Sequence, residues 1–120
     1  MAEPFTIPDV PTRDDLESLH ASAASAARLM KLLGNEQRLL LLCRMGEGEV
    51  SAGELADYAG LAQSAASQHL AKMRDLGLVA TRRDGQTIYY RLVDEDALRV
   101  IGALCEIYRG KGRKSKSGKA

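Results

Sequence analysis

Tryptophan is absent from the 120 residues, and four tyrosines with one phenylalanine hold the aromatic share to 4%. So few rings leave little on which unpaired bases could stack, and Tyr89 is the only candidate platform, so a single-stranded RNA binder is disfavoured. Long apolar stretches are missing too: the longest run, Leu39 to Cys43, is far short of a membrane span. The three prolines, Pro4, Pro8 and Pro11, all precede Arg13, where two acids accompany them. This opening lacks the basic start and apolar stretch of an export signal, so the expectation is a cytoplasmic protein. No nucleotide-type glycine loop and no positioned nucleophile arrangement of Ser, His and acid residues occurs, which argues against an enzyme.

What is present fits one small soluble domain. Hydrophobic residues make up 45% and charged residues 28%, a balance that favours neither disorder nor membrane insertion. The chain is long enough for one modest core but not two. Its formal net charge of +1 conceals an asymmetry. Arg109, Lys111, Arg113, Lys114, Lys116 and Lys119 carry six of the 17 basic charges, leaving 11 against 16 acids, or −5, on residues 1–108. Within that acidic body, residues 62–91 hold Lys72, Arg74, Arg82, Arg83 and Arg91 against only Asp75 and Asp84, a local +3. A basic face on an acidic domain is what phosphate contact requires, because counterion release supplies most non-specific affinity for DNA.

Residues 1–13 are expected to form an extended arm, since spaced prolines interrupt any helix. A long helix is expected from Asp14 to Leu33, with acids in its first turn, Arg28 and Lys31 near its end, and a run of Ala and Ser in the middle that permits close approach of another helix. Gly34 stops it, and Asn35 caps a buried helix running to about Met45. Ser51-Ala52-Gly53-Glu54 is a capping box that opens a short helix ending near Ala59. Gly60 makes the turn into a helix from about Gln63 to Leu76, and Gly77 ends it. Leu78 to Arg83 and Gln86 to Leu92 flank Asp84-Gly85, a strong hairpin signal, with Ile88, Tyr90 and Leu92 assigned to the core face. Asp94 caps a last helix to about Tyr108, in which Leu98, Ile101, Leu104, Cys105 and Tyr108 recur at helical spacing. A disordered basic tail is expected over residues 110–120. Residues 14–109 thus form one mostly α domain: four helices, a β-hairpin and a fifth helix, the outline of a winged helix-turn-helix.

On the helix beginning at Gln63, a step of about 100° per residue gathers Leu70, Ala66, Met73, His69, Leu76 and Ala65 on a buried side. Ser64, Ser67, Gln68, Ala71, Lys72 and Asp75 fall on the opposite side, with Gln63 and Arg74 at its edge. Serine and glutamine offer short donors and acceptors to base edges and lysine a phosphate anchor, which selects Gln63, Ser64, Ser67, Gln68 and Lys72 as DNA-binding residues. A merely solvated polar face is the plainer alternative. His69, among apolar positions, is assigned to the core or its rim rather than to a ligand set. Arg82, Arg83 and Gln86 flank the hairpin turn and would put two guanidinium groups at the tip of a wing able to reach the backbone or the minor groove.

The segment Gln63-Ser64-Ala65-Ala66-Ser67-Gln68-His69-Leu70, followed by Leu76-Gly77-Leu78-Val79 and Arg82-Arg83-Asp84-Gly85-Gln86-Thr87-Ile88-Tyr89-Tyr90, closely resembles the ArsR family of bacterial repressors over about residues 28–109. The resemblance implies a homodimer held by the first and last helices, binding double-stranded DNA at a palindromic operator with half-sites about one helical turn apart, and released by an inducer that the sequence does not identify. Metal-sensing relatives place cysteines on the third helix where this chain has Ala56 and Tyr58, or histidines on the last helix, whereas none follows His69 here. No metal and no cofactor is therefore expected. Other relatives sense oxidants or reactive sulfur through one cysteine on the second helix and one at the end of the last. Cys43 matches the first position, but Arg109 follows Ile107-Tyr108 where that branch has its second cysteine. Cys105 lies one turn earlier on a similar face. The resemblance leaves open a Cys43–Cys105 thiol switch and two reduced, inert thiols, which composition favours in a cytosolic protein; the closing stretch Ile101-Gly102-Ala103-Leu104 through Ile107-Tyr108 also resembles the rhizobial nodulation repressors, which lack this pair, and both branches stay open. A winged-helix protein-interaction or RNA-binding module is the rival from another class. The basic tail either adds non-specific DNA affinity or solubilises the terminus.

Overall fold

The computed structural model describes residues 10–111, so most of the expected arm and tail lies outside the described residues. The described chain forms α1 (Arg13–Ala21), α2 (Ala23–Leu33), α3 (Glu36–Met45), β1 (Val50–Ser51), α4 (Ala52–Ala59), α5 (Gln63–Asp75), β2 (Val79–Asp84), β3 (Thr87–Leu92) and α6 (Glu95–Ile107). They fall into two compact units, one ending at Leu32 and the other starting at Leu33.

The first unit carries a correction. The single helix expected over residues 14–33 is two, because Ser22 leaves helical geometry (φ −107°, ψ 16°) while its N–H still donates to the Ser18 and Leu19 carbonyls. Serine is a weak helix former, and α1 buries no side chain that would hold the helix continuous through it. The start of α1 is firm: Thr12 and Asp15 form a reciprocal capping box, with N–H···O distances of 3.1 and 2.9 Å.

The second unit holds the core. Leu41, Leu42 and Met45 of α3, Leu55 and Ala56 of α4, Ala66, Leu70 and Met73 of α5, and Ala97 and Ile101 of α6 are buried with Val50, Leu78, Val79, Tyr90 and Leu92. Side-chain caps start three of its helices: Asn35 accepts from Arg38 N–H at 2.9 Å, Ser51 from Glu54 N–H at 3.2 Å, and Asp94 from Ala97 N–H at 2.9 Å.

The sheet is antiparallel in the order β1-β3-β2. Its third strand was not expected: Val50 pairs with Tyr90 and Ser51 with Tyr89, tying the start of α4 to the hairpin. The hairpin turn is shifted by one residue from the expected Asp84-Gly85. Asp84 pairs with Thr87, so Gly85 and Gln86 form the loop, and only Gly85 has positive φ (66°). Glycine at the first central position alone is the type II′ pattern, which also suits the twist of a hairpin. Tyr90 and Leu92 face the core as expected, joined by Val79 of β2, while Ile88, also expected there, is only half-buried nearer the tip.

Candidate nucleic-acid interface

The joint between α4 and α5 is set by hydrogen bonds that close helix ends. At the end of α4, Leu61 N–H donates to Ala56 O at 2.9 Å and Gly60 N–H to Asp57 O at 3.2 Å, with Gly60 left-handed at φ 67°. This paired closure turns the chain sharply and delivers it to Gln63 after two residues. A Cβ on Gly53 would stand 3.5 Å from Gln63 Nε2, so the Gln63 amide rests against the first turn of α4.

The same closure ends α5, where Leu78 N–H donates to Met73 O at 3.0 Å and Gly77 N–H to Arg74 O at 2.9 Å. It corrects one expected core position. Leu76 is 59% exposed: it caps the helix in near-helical geometry and so lies about 120° from Leu70 on the wheel, at the edge of the side that Ala66, Leu70 and Met73 bury. Leu78, two residues later, turns inward instead.

Along α5 the two sides are sharply different. Ala66, Leu70 and Met73 are buried, and Gln63, Ser64, Ser67, Gln68, Ala71, Lys72, Arg74 and Asp75 are exposed. Gln63, Ser64, Ser67, Gln68 and Lys72 thus share one solvent face, presenting hydroxyls, amides and one ammonium. His69 is half-buried between these sides, at the rim of the core.

The wing is arranged differently from the expected pair of guanidinium groups at its tip. Arg82 pairs across the ladder with Tyr89 and Arg83 with Ile88, and successive strand residues point to opposite faces, so the two arginines diverge. Arg83 and Gln86 are exposed near the tip. Arg82 is drawn back along the outer face of the sheet, where its Nε donates to Glu49 Oε2 and its Nη2 to Glu49 Oε1, both at 2.9 Å. Its Cζ stands 4.7 Å from the Tyr89 ring centroid. The Arg82 hydrogen bonds above all, helped by the charges of Arg82 and Arg91, hold the Glu49 carboxyl below its ordinary range despite its desolvation. Sequence reasoning did not find Glu49, which lies 33 positions from its partner.

Cys43 on α3 is half-buried and Cys105 on α6 is exposed; both are free thiols. Burial pushes the Cys43 thiol up, and the neighbouring Cys105 pushes it in the same direction, so the two sulfurs lie within electrostatic reach. Near them α6 leaves large apolar side chains uncovered, with Leu98, Ile107 and Tyr108 exposed at 38%, 53% and 60%. Among the described residues no helix is long and apolar enough to cross a membrane.

A helix-turn-helix with a polar outward face beside a basic hairpin can be set against known proteins. The family described as "Bacterial regulatory protein, arsR family" matches residues 35–81. The nodulation protein NolR of Rhizobium meliloti is 46% identical over 89 residues, covering 74% of this chain and 73% of its own. The transcriptional activator HlyU of Vibrio cholerae is 40% identical over 94 residues, covering 78% of this chain and 87% of its own. The crystal structure of the transcriptional repressor BigR from Xylella fastidiosa superposes with a TM-score of 0.71 at 40% identity, covering 82% of this chain and 97% of that one. With the fold, the joint and the wing all accounted for, this chain belongs to the ArsR family, whose members are DNA-binding transcription regulators of winged-helix fold and not enzymes.

Proposed function

We propose that this chain is a repressor that binds a palindromic operator as a homodimer, with α5 in the major groove and the hairpin on the adjacent backbone. The observation that carries this reading is the two-sided α5: Gln63, Ser64, Ser67, Gln68 and Lys72 are exposed together above a fully buried Leu70. Short hydroxyl and amide groups read base edges, and Lys72 with Arg83 and Gln86 supplies backbone contact. The uncovered apolar side chains of α6 support self-association, since Leu98, Ile107 and Tyr108 gain most from a second copy. Relatives include both a repressor and an activator by name; repression is the reading adopted because occupancy of a promoter suffices for it.

Release of the operator is assigned to Cys43 and Cys105, by oxidation or by persulfidation. With a two-electron oxidant such as diamide, both thiols lose their protons, two electrons pass to the oxidant and an S–S bond forms, drawing α3 and α6 together. That Cys105 stands close enough to raise the Cys43 thiol, after the larger effect of burial, supports this pairing. The test is binding of reduced and diamide-treated protein to its own upstream DNA over a salt series, with mass spectrometry of the cysteines. Specific binding that disappears with a Cys43–Cys105 crosslink is expected. Binding unchanged by the crosslink would leave a repressor without a cysteine switch, and absence of specific binding in both states would refute autoregulation by this operator.

A further inference from the structure

Arginine carries five N–H donors in a rigid planar group, enough to serve two forked partners along different edges. In Arg82 one edge is occupied: Nε and one Nη2 proton hold the two oxygens of Glu49 at 2.9 Å. One face is also engaged, by the ring of Tyr89 at 4.7 Å. The remaining edge, both Nη1 protons and the second Nη2 proton, donates to no group among the described residues, and the Arg82 side chain is 52% exposed. Glu49 is itself anchored, because the next residue, Val50, is buried in the sheet against Tyr90.

We propose that Glu49 and Tyr89 are positioning residues that fix Arg82 so that its free edge forms an oriented fork for a DNA phosphate. The inference rests on the DNA-binding reading above and deepens it. An arginine swinging freely on a wing loses conformational freedom when it meets a phosphate; one already held along one edge and one face loses less. Glu49 acts through Arg82 and touches no DNA. Its negative charge opposes DNA, so its charge and its positioning role push affinity in opposite directions, and the sign of a substitution separates them.

The experiment measures binding of a fluorescein-labelled random-sequence duplex by anisotropy across a salt series, for the full chain and for Glu49→Ala, Glu49→Gln, Arg82→Gln and the double variant Glu49→Ala/Arg82→Gln. Thermal melts accompany each. Arg82→Gln should weaken binding and lower the salt slope by about one per bound chain. Glu49→Ala should weaken binding by about threefold or more even though it removes a negative charge, because the fork is released. Glu49→Gln, which keeps one acceptor for Arg82, should fall between Glu49→Ala and the unaltered chain. In the Arg82→Gln background, Glu49→Ala should leave binding unchanged or tighten it, since only the charge effect remains. Tighter binding by Glu49→Ala in the unaltered background would overturn the proposal and make Glu49 a simple countercharge. Equal weakening in both backgrounds would overturn it as well, because Glu49 would then act on the fold rather than through Arg82. If the unaltered chain fails to bind the duplex at low salt, the DNA-binding reading itself fails.

Discussion

Gly102 stands in the middle of α6, exposed, and a Cβ placed there meets no heavy atom of the chain within 4 Å. Glycine in a helix interior is less favourable than alanine by about 0.8–1.0 kcal/mol, and no steric term of the single chain opposes the exchange. Gly102→Ala should therefore stabilise dilute protein by about 1 kcal/mol, raising the melting temperature by on the order of 5 °C for a domain of this size. The position lies one turn from Leu98 and one from Cys105, along the uncovered side of α6. If a second copy covers that side, the new methyl stands where its helix approaches, and the gain should shrink as protein concentration rises. Urea unfolding followed by circular dichroism at several concentrations measures both effects, with sedimentation giving the dimer dissociation constant. Gly102→Leu sharpens the contrast: dilute protein should stay folded while dimerisation weakens. Destabilisation by Gly102→Ala of equal size at every concentration would refute the reasoning, since it requires an obstacle inside the single chain.

Three further outcomes are expected. Leu70 is fully buried beneath the polar face of α5, so Leu70→Ala should lower unfolding stability by about 2–5 kcal/mol in urea titration and reduce DNA binding through loss of the helix platform. Because burial and Cys105 raise the Cys43 thiol, iodoacetamide near neutral pH should label Cys105 first, and raising the pH should narrow the difference as Cys43 ionises; mass spectrometry of peptides resolves the order. The Glu49 carboxyl is held low in the folded protein, so its contribution is present above the ordinary glutamate range and is lost only as pH falls through the depressed value. A carboxyl titration by NMR should accordingly place Glu49 below its ordinary range, and Arg82→Gln should return it upward.

The elements were legible where their signals are local. Ser51 and Glu54, three residues apart, announce the start of α4 and form the expected reciprocal cap. Asn35 and Asp94 do the same for α3 and α6, and the alternation of Thr87 to Leu92 gives the inward face of β3. The exposed side of α5 followed from its periodicity, except at its edge, where Leu76 was assigned inward and is exposed. What escaped depends on partners distant in the chain or on fine competition between similar conformations. A two-residue strand such as β1 has no periodicity of its own and exists because β3 offers it an edge. The Glu49–Arg82 fork needs that pairing first, so no inspection of either residue's neighbours reveals it. Ser22 and the one-residue shift of the hairpin turn are decided by small local energy differences that a residue pattern does not resolve.

The shifted turn frees one position at the apex of the hairpin. A loop demanding positive φ at both central residues would confine the apex to glycine, asparagine or aspartate. Here that demand falls on Gly85 alone, and Gln86 keeps ordinary backbone geometry in open solvent. The apex is thus a site where long, charged or branched side chains can be exchanged without refolding the hairpin. If the wing meets DNA as proposed, what it presents there can change at that one position while the scaffold stays intact.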